Sequence, residues 1–111
     1  MESTRQSKIS RLIQKELADI FQKESRDLFH GKIISVTNVR VTSDLSIARA
    51  YLSIFPSEKA DELLKEIKQH TSKIRYELGK KTGKQLRVIP NLEFYQDDSL
   101  DYIDNIDRLL K

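Results

Sequence analysis

The chain has 111 residues, 38% of them apolar and 33% charged, with 20 basic residues against 17 acidic for a net charge of +3. That length supports one core of two packed layers and leaves little room for an enclosed pocket. Cysteine is absent, which excludes a disulfide scaffold, a thiol nucleophile and any cysteine-ligated metal. No run approaches the ~18 apolar residues of a membrane span, and the polar start Met1-Glu2-Ser3-Thr4-Arg5-Gln6 lacks a secretory apolar core. A single cytoplasmic domain over 1–111 is expected.

Ile9, Leu12, Ile13, Leu17, Ile20 and Phe21 recur at spacings of three and four, which predicts a helix over residues 4–25, capped by Ser3 or Thr4. Gly31 breaks that pattern. Residues 33–42 are β-branched and largely alternating, so they predict a strand. Ser43-Asp44-Leu45-Ser46 is a turn, and Ile47–Phe55 returns as the antiparallel partner. Pro56 ends the hairpin, Ser57 offers the next helix cap, and Ala60, Leu63, Leu64 and Ile67 form a buried stripe. The stripe resumes at Ile74 and Leu78. Between the two halves lie His70, Thr71 and Ser72, all poor helix formers, which predict a kink or short break. Gly79 or Gly83 ends the second helix. Leu86–Tyr95 reads as a third strand with Pro90 at its start, an edge or a bulge. Asp98 or Ser99 then caps a last helix carrying Leu100, Ile103, Ile106 and Leu110. The expected fold is α+β, in the order α-β-β-α-α-β plus a C-terminal helix, with a three-stranded sheet covered by helices on one face.

Charge is segregated along the chain. Residues 68–87 hold Lys68, Lys73, Arg75, Lys80, Lys81, Lys84 and Arg87 against Glu77 alone, a net of +6, while residues 88–111 carry a net of −4. A solvated helix face is the plain reading of such a run; a phosphate-binding stripe is the sharper one.

Catalytic readings fail on the residues. His30 and His70 are the two histidines and stand forty positions apart, so no zinc set forms. His70 lacks a convincing nucleophile, since Thr71 and Ser72 read as helix breakers. Asp97 and Asp98 precede a helix, where one carboxylate serves as a cap. Gly79-Lys80-Lys81-Thr82 resembles the end of a nucleotide P-loop, yet position 74 is Ile74 where that loop needs glycine, and Gly83-Lys84 is followed by Gln85. Gly79 and Gly83 are one residue too far apart for the GxxG clamp of KH domains and follow the helix pair. No enzyme, metal, cofactor or small-molecule substrate is expected. The surviving reading is RNA binding. A helix begun at His70-Thr71-Ser72 points N–H groups outward, which suits a phosphate beside Lys73 and Arg75. Lys73, Lys80 and, where the helix reaches that far, Lys84 share one side of it, Lys81 and Arg87 extend the basic run, and Arg5, Lys8 and Arg11 on the first helix are the fallback contacts.

In order along the chain, Arg11–Leu17, Ile34–Leu45, Ala48–Leu52 and Ile74–Lys80 are similar to the ribosome-binding factor A family. Arg87-Val88-Ile89-Pro90-Asn91-Leu92-Glu93-Phe94, followed by Asp97-Asp98-Ser99, matches that family's R-x-x-P-x-L-x-F-x-x-D-x-S pattern at every fixed position. The resemblance implies a type II KH-like domain. It implies a non-catalytic monomer that binds free 30S subunits and assists late maturation and processing of 16S rRNA, near the 5′-terminal helix and the decoding region, with a part in cold-shock adaptation. The family's Ala-x-Gly kink is here His70-Thr71-Ser72, and the segment from Lys80 to Gln85 is longer than usual. The alternative is a protein-interaction domain for a ribosomal or assembly protein, with RNA contact incidental.

Overall fold

The first helix starts from a reciprocal cap. Ser3 Oγ accepts the N–H of Gln6 at 3.1 Å, and Gln6 Oε1 accepts the N–H of Ser3 at 2.9 Å, so each satisfies a donor that the helix start would leave orphaned. The computed structural model describes residues 3–55 and 58–97. Within them the order is α1 (Thr4–Leu28), β1 (Ile33–Val41), β2 (Ile47–Phe55), α2 (Ala60–Gln69), α3 (Thr71–Thr82) and β3 (Asn91–Gln96). After α1 the chain reverses through His30 and Gly31, at φ 57 and 74; glycine enters that left-handed region without steric cost.

β1 and β2 pair antiparallel, and β3 pairs parallel to β2, giving the order β1-β2-β3. The parallel step requires a crossover, which α2 and α3 supply. β1 carries a bulge between Val36 and Asn38. The extra residue, Thr37, donates to the carbonyl of Tyr51 at 3.1 Å, and the bulge lets Ile34, Val36, Val39 and Val41 all face the core. Without it the period of two would turn Val39 and Val41 to solvent.

The helices cover that one face. Ile13, Leu17 and Phe21 of α1, Ile67 of α2 and Ile74 and Leu78 of α3 are fully buried against Ala48, Ala50 and Leu52 of the central strand. Phe21 packs edge-on to Phe94 with ring centres 5.9 Å apart. The α+β arrangement, three strands with helices covering one face, is the expected one.

Several expectations shift. β3 begins at Asn91, whose N–H bonds the carbonyl of Ser46 at 2.9 Å, and Leu86–Pro90 lie outside the sheet. α3 continues through Gly79 and stops at Gly83, the second of its two expected ends. α2 starts at Ala60 after Lys59, at φ 61. The expected Ser57 cap and the helix capped by Asp98 or Ser99, with Leu100, Ile103, Ile106 and Leu110, lie outside the described residues. Among the described residues no helix is long and apolar enough to cross a membrane.

Candidate nucleic-acid interface

The predicted break between α2 and α3 is present and is one residue wide. His70 stands between the helices at φ −98 and ψ 13. Its N–H goes to the carbonyls of Glu66 and Ile67, at 3.2 and 3.0 Å, and its own carbonyl accepts the N–H of Ile74 at 2.9 Å. The Thr71 hydroxyl donates to the carbonyl of Lys68 at 2.7 Å. His70 thus has its backbone N–H and carbonyl bonded within the helix pair, and Thr71 closes the end of α2. The His70 ring meets Phe29 edge-on at 6.5 Å. Ser72 and Lys73 are exposed.

Ile74, Leu78 and Thr82 turn inward on α3. The opposite side presents Lys73, Tyr76 and Lys80, with Tyr76 64% exposed. Lys80 Nζ stands 4.9 Å from the centre of the Tyr76 ring and 3.7 Å from Glu77. A cation and an exposed aromatic side by side suit a phosphate next to an unstacked base. Lys84 and Arg87 are exposed just beyond.

Two predicted contacts have structural work. Lys81 faces α1, where its ammonium bonds Asp19 and lies 3.7 Å from Glu16. The Lys81 bond, helped by Lys23, holds the Asp19 carboxyl below its ordinary range, and the Asp19 bond raises Lys81 in turn. Arg75 donates from Nη2 to the carbonyl of Ile89 at 2.6 Å and from Nε to that of Pro90 at 3.2 Å. It fastens the 86–90 segment to α3.

That segment is a ridge between two depressions. On one side Ser72, Arg75, Tyr76, Gly79, Lys80 and Ile89 line a hollow of about 580 Å³. On the other, a groove of about 850 Å³ brings Arg5 and Lys8 of α1 to Arg87 and Val88, across from Leu45 and Ser46 of the β1–β2 turn. Arg5 and Lys8 thus join Arg87, while Arg11 is exposed outside the groove lining. A smaller hollow, about 250 Å³, lies between Lys68, Thr71 and Tyr95.

Tyr76, Val88 and Leu45 were absent from the predicted contacts. Tyr76 had a signal, being spaced to lie between Lys73 and Lys80 on one helix side; the placement of Val88 and Leu45 depends on tertiary packing. On the sheet face that the described helices leave uncovered, Tyr51 stacks on Tyr95, ring centres 5.5 Å apart. There Arg49 pairs with Glu93 at 3.2 Å, and Tyr95 donates to the same carboxylate at 2.8 Å. Those two bonds, that of Tyr95 first, lower the Glu93 carboxyl, and the bond to Glu93 raises the Tyr95 phenol. Among the described residues no group of three or more histidine or acidic side chains converges as for a metal.

A sequence profile of the ribosome-binding factor A family matches residues 5–110. Ribosome-binding factor A of Christiangramia forsetii is 52% identical over 111 residues, covering 99% of this chain and 85% of that protein. The Cytophaga hutchinsonii protein of the same name is 53% identical over 110 residues, covering 99% and 83%. The crystal structure of ribosome-binding factor A from Thermus thermophilus superposes with a TM-score of 0.67 at 23% identity, over 82% of this chain and 94% of that one. A homology model of the Thermus protein, fitted into a cryo-EM map of its complex with the 30S subunit, gives 0.60 at 25% identity, over 78% and 89%.

Proposed function

This chain belongs to the ribosome-binding factor A family, and from that premise we propose that it binds the free 30S subunit through exposed phosphates and unpaired bases of 16S rRNA. It does so late in maturation, near the 5′-terminal helix and the decoding region, as a cytoplasmic monomer. It assists processing of that RNA without catalysing a step, and it matters most in the cold, when misfolded RNA rearranges slowly. The observation that carries the reading is the outer side of α3, where Lys73, Tyr76 and Lys80 stand exposed beside the Arg87 ridge. The 30S complex of the Thermus homologue supports the choice of partner.

The mechanism is differential binding. A factor that fits one conformer of the RNA raises that conformer's population by its affinity difference, and it leaves when the RNA moves on to a form it fits less well. Fixed cations supply sequence-independent affinity, and an aromatic ring recognises a base only where that base is unstacked.

Co-sedimentation with purified 30S subunits over a salt series tests the reading. The parent chain is expected to pellet with subunits and to dissociate steeply with salt, and a Lys73→Ala/Lys80→Ala/Arg87→Ala variant to pellet weakly with a shallower dependence. Equal pelleting by both would remove this face from the contact. One observation favours the protein-interaction reading. Ile33 and Phe55, a cross-strand pair at the far end of the sheet, are 62% and 67% exposed, and loss of subunit binding on changing them alone would establish it.

A further inference from the structure

The groove beside the ridge joins an apolar floor to cations from two separate stretches of the chain. Leu45, Leu86 and Pro90 line it, and Val88 stands 74% exposed at its lip. Arg5, Lys8 and Arg87 supply three positive charges from two distant stretches of chain. Among the described residues that line the groove, Asp44 is the one carboxylate, and it is turned to its own loop. It accepts from the hydroxyls of Ser46 and Thr42, at 2.7 and 2.8 Å, and from the N–H of Ser46 at 3.1 Å.

Leu45 is the unexpected residue. It holds φ 63, a left-handed conformation that glycine or asparagine adopts readily and a bulky side chain adopts at a cost. The β1–β2 turn alone does not require leucine there. Its partly buried side chain packs against the core and lines the groove with apolar surface, and backbone strain of this kind concentrates at binding sites.

We propose that this groove takes an unpaired nucleotide of RNA, its base laid on Leu45 and Val88 and its flanking phosphates on Arg5, Lys8 and Arg87. The inference rests on the RNA-binding reading above and adds a single-stranded element to it. The volume, about 850 Å³, falls in the usual ~300–1,000 Å³ range of small-molecule sites. The bases of a duplex are held in its stack and cannot enter, so a splayed nucleotide is the RNA form that uses floor and rim together.

The test compares a short single-stranded adenylate oligomer with an RNA hairpin stem, each titrated into the full chain by fluorescence anisotropy. Val88→Ser removes apolar contact at a side chain the fold leaves exposed, and an unchanged urea midpoint verifies that. Affinity for the oligomer is expected to fall roughly three- to tenfold while affinity for the stem holds. Arg87→Ala is expected to weaken both. A 4-thiouridine oligomer is expected to crosslink to the peptides holding Leu45 or Val88. Crosslinks confined to α3, or oligomer affinity unmoved by Val88→Ser, would overturn the inference. If Lys73→Ala/Lys80→Ala still weakens 30S binding in that case, the broader RNA-binding reading stands alone. If the parent binds neither RNA nor 30S subunits, both fail. Groove shifts caused by an acidic peptide but not by RNA would assign the groove to a protein and overturn the inference as well.

Discussion

The guanidinium of Arg75 donates to the carbonyl of Ile89 at 2.6 Å and, through Nε, to that of Pro90. This pairing turns a cation of the basic run into a clamp, and the clamp sets the height of the ridge between the two depressions. Pro90 brings no N–H, and Asn91 opens β3 directly after it, so the side chain of Arg75 satisfies carbonyls just before the ladder begins.

Arg75→Ala is therefore expected to lower stability by about 1.5–3 kcal/mol, the usual range for charged hydrogen bonds in folded proteins. Arg75→Lys should recover little, because a point charge does not reproduce the fixed fork. Urea denaturation of both variants checks this; full rescue by lysine would make Arg75 a surface cation.

Lys80 and Lys81 are neighbours with opposite roles. Lys80 faces outward beside Tyr76, and Lys81 is tied to α1 through Asp19. Lys80→Ala/Lys84→Ala should flatten the slope of log K against log salt by roughly 1.5, at 0.7–0.9 per phosphate contact, and leave the urea midpoint in place. Lys81→Ala should lower the midpoint and leave the slope. The reverse pattern would exchange their assignments.

The same tie predicts an acid limb. Asp19 lies below the ordinary aspartate value of 3.8 chiefly because Lys81 bonds it, and Asp44 chiefly because the Ser46 hydroxyl does. Unfolded carboxylates bind protons more readily than these folded ones, so their stabilisation is present above 3.8 and is lost as pH falls through the folded values. Lys81 is raised above 10.5, so its share is complete below that pH and fades only above it. Urea midpoints should be level from neutrality to about pH 5 and drop below about pH 4. Asp19→Asn should lower the neutral plateau and shallow the acid limb; an unchanged limb would show that the bond does not persist in solution.

The break at His70 should respond to propensity. Alanine at 70, 71 and 72 improves helix formation by roughly 0.5 kcal/mol per residue and removes the Thr71 bond to Lys68. That variant should join α2 and α3 into a straighter helix and bind 30S subunits more weakly, while Ala-x-Gly at the same positions should keep the bend and the binding. Equal binding by the two would detach the break from function.

The sequence was most informative where periodicity and burial coincide. Ile13, Leu17, Phe21, Ile74 and Leu78 repeat with the helical period and are all buried, and the low helix propensity of His70, Thr71 and Ser72 marked the break correctly. The bulge at Thr37 was not legible, because a run of β-branched residues looks the same with or without a one-residue slip. Leu86–Ile89 looked like strand for the same reason, and what excludes it is Arg75, fifteen positions before Pro90. The choice between Lys80 and Lys81 was hidden too. Adjacent helical residues point about 100° apart, and only the packing of α3 on α1 decides which one meets Asp19. The groove assembled by Arg5, Lys8 and Arg87 required tertiary structure, since its cations come from the start of α1 and from the segment just before β3.

A cryo-EM reconstruction of this chain on the immature 30S subunit would show which face of the domain meets the RNA. Lys73, Tyr76, Lys80 and the 86–90 ridge are expected to face 16S rRNA, with Tyr51 and Tyr95 on the opposite sheet face pointing away from it. RNA lying across Tyr51 and Tyr95, with the outer side of α3 in solvent, would contradict the proposed interface.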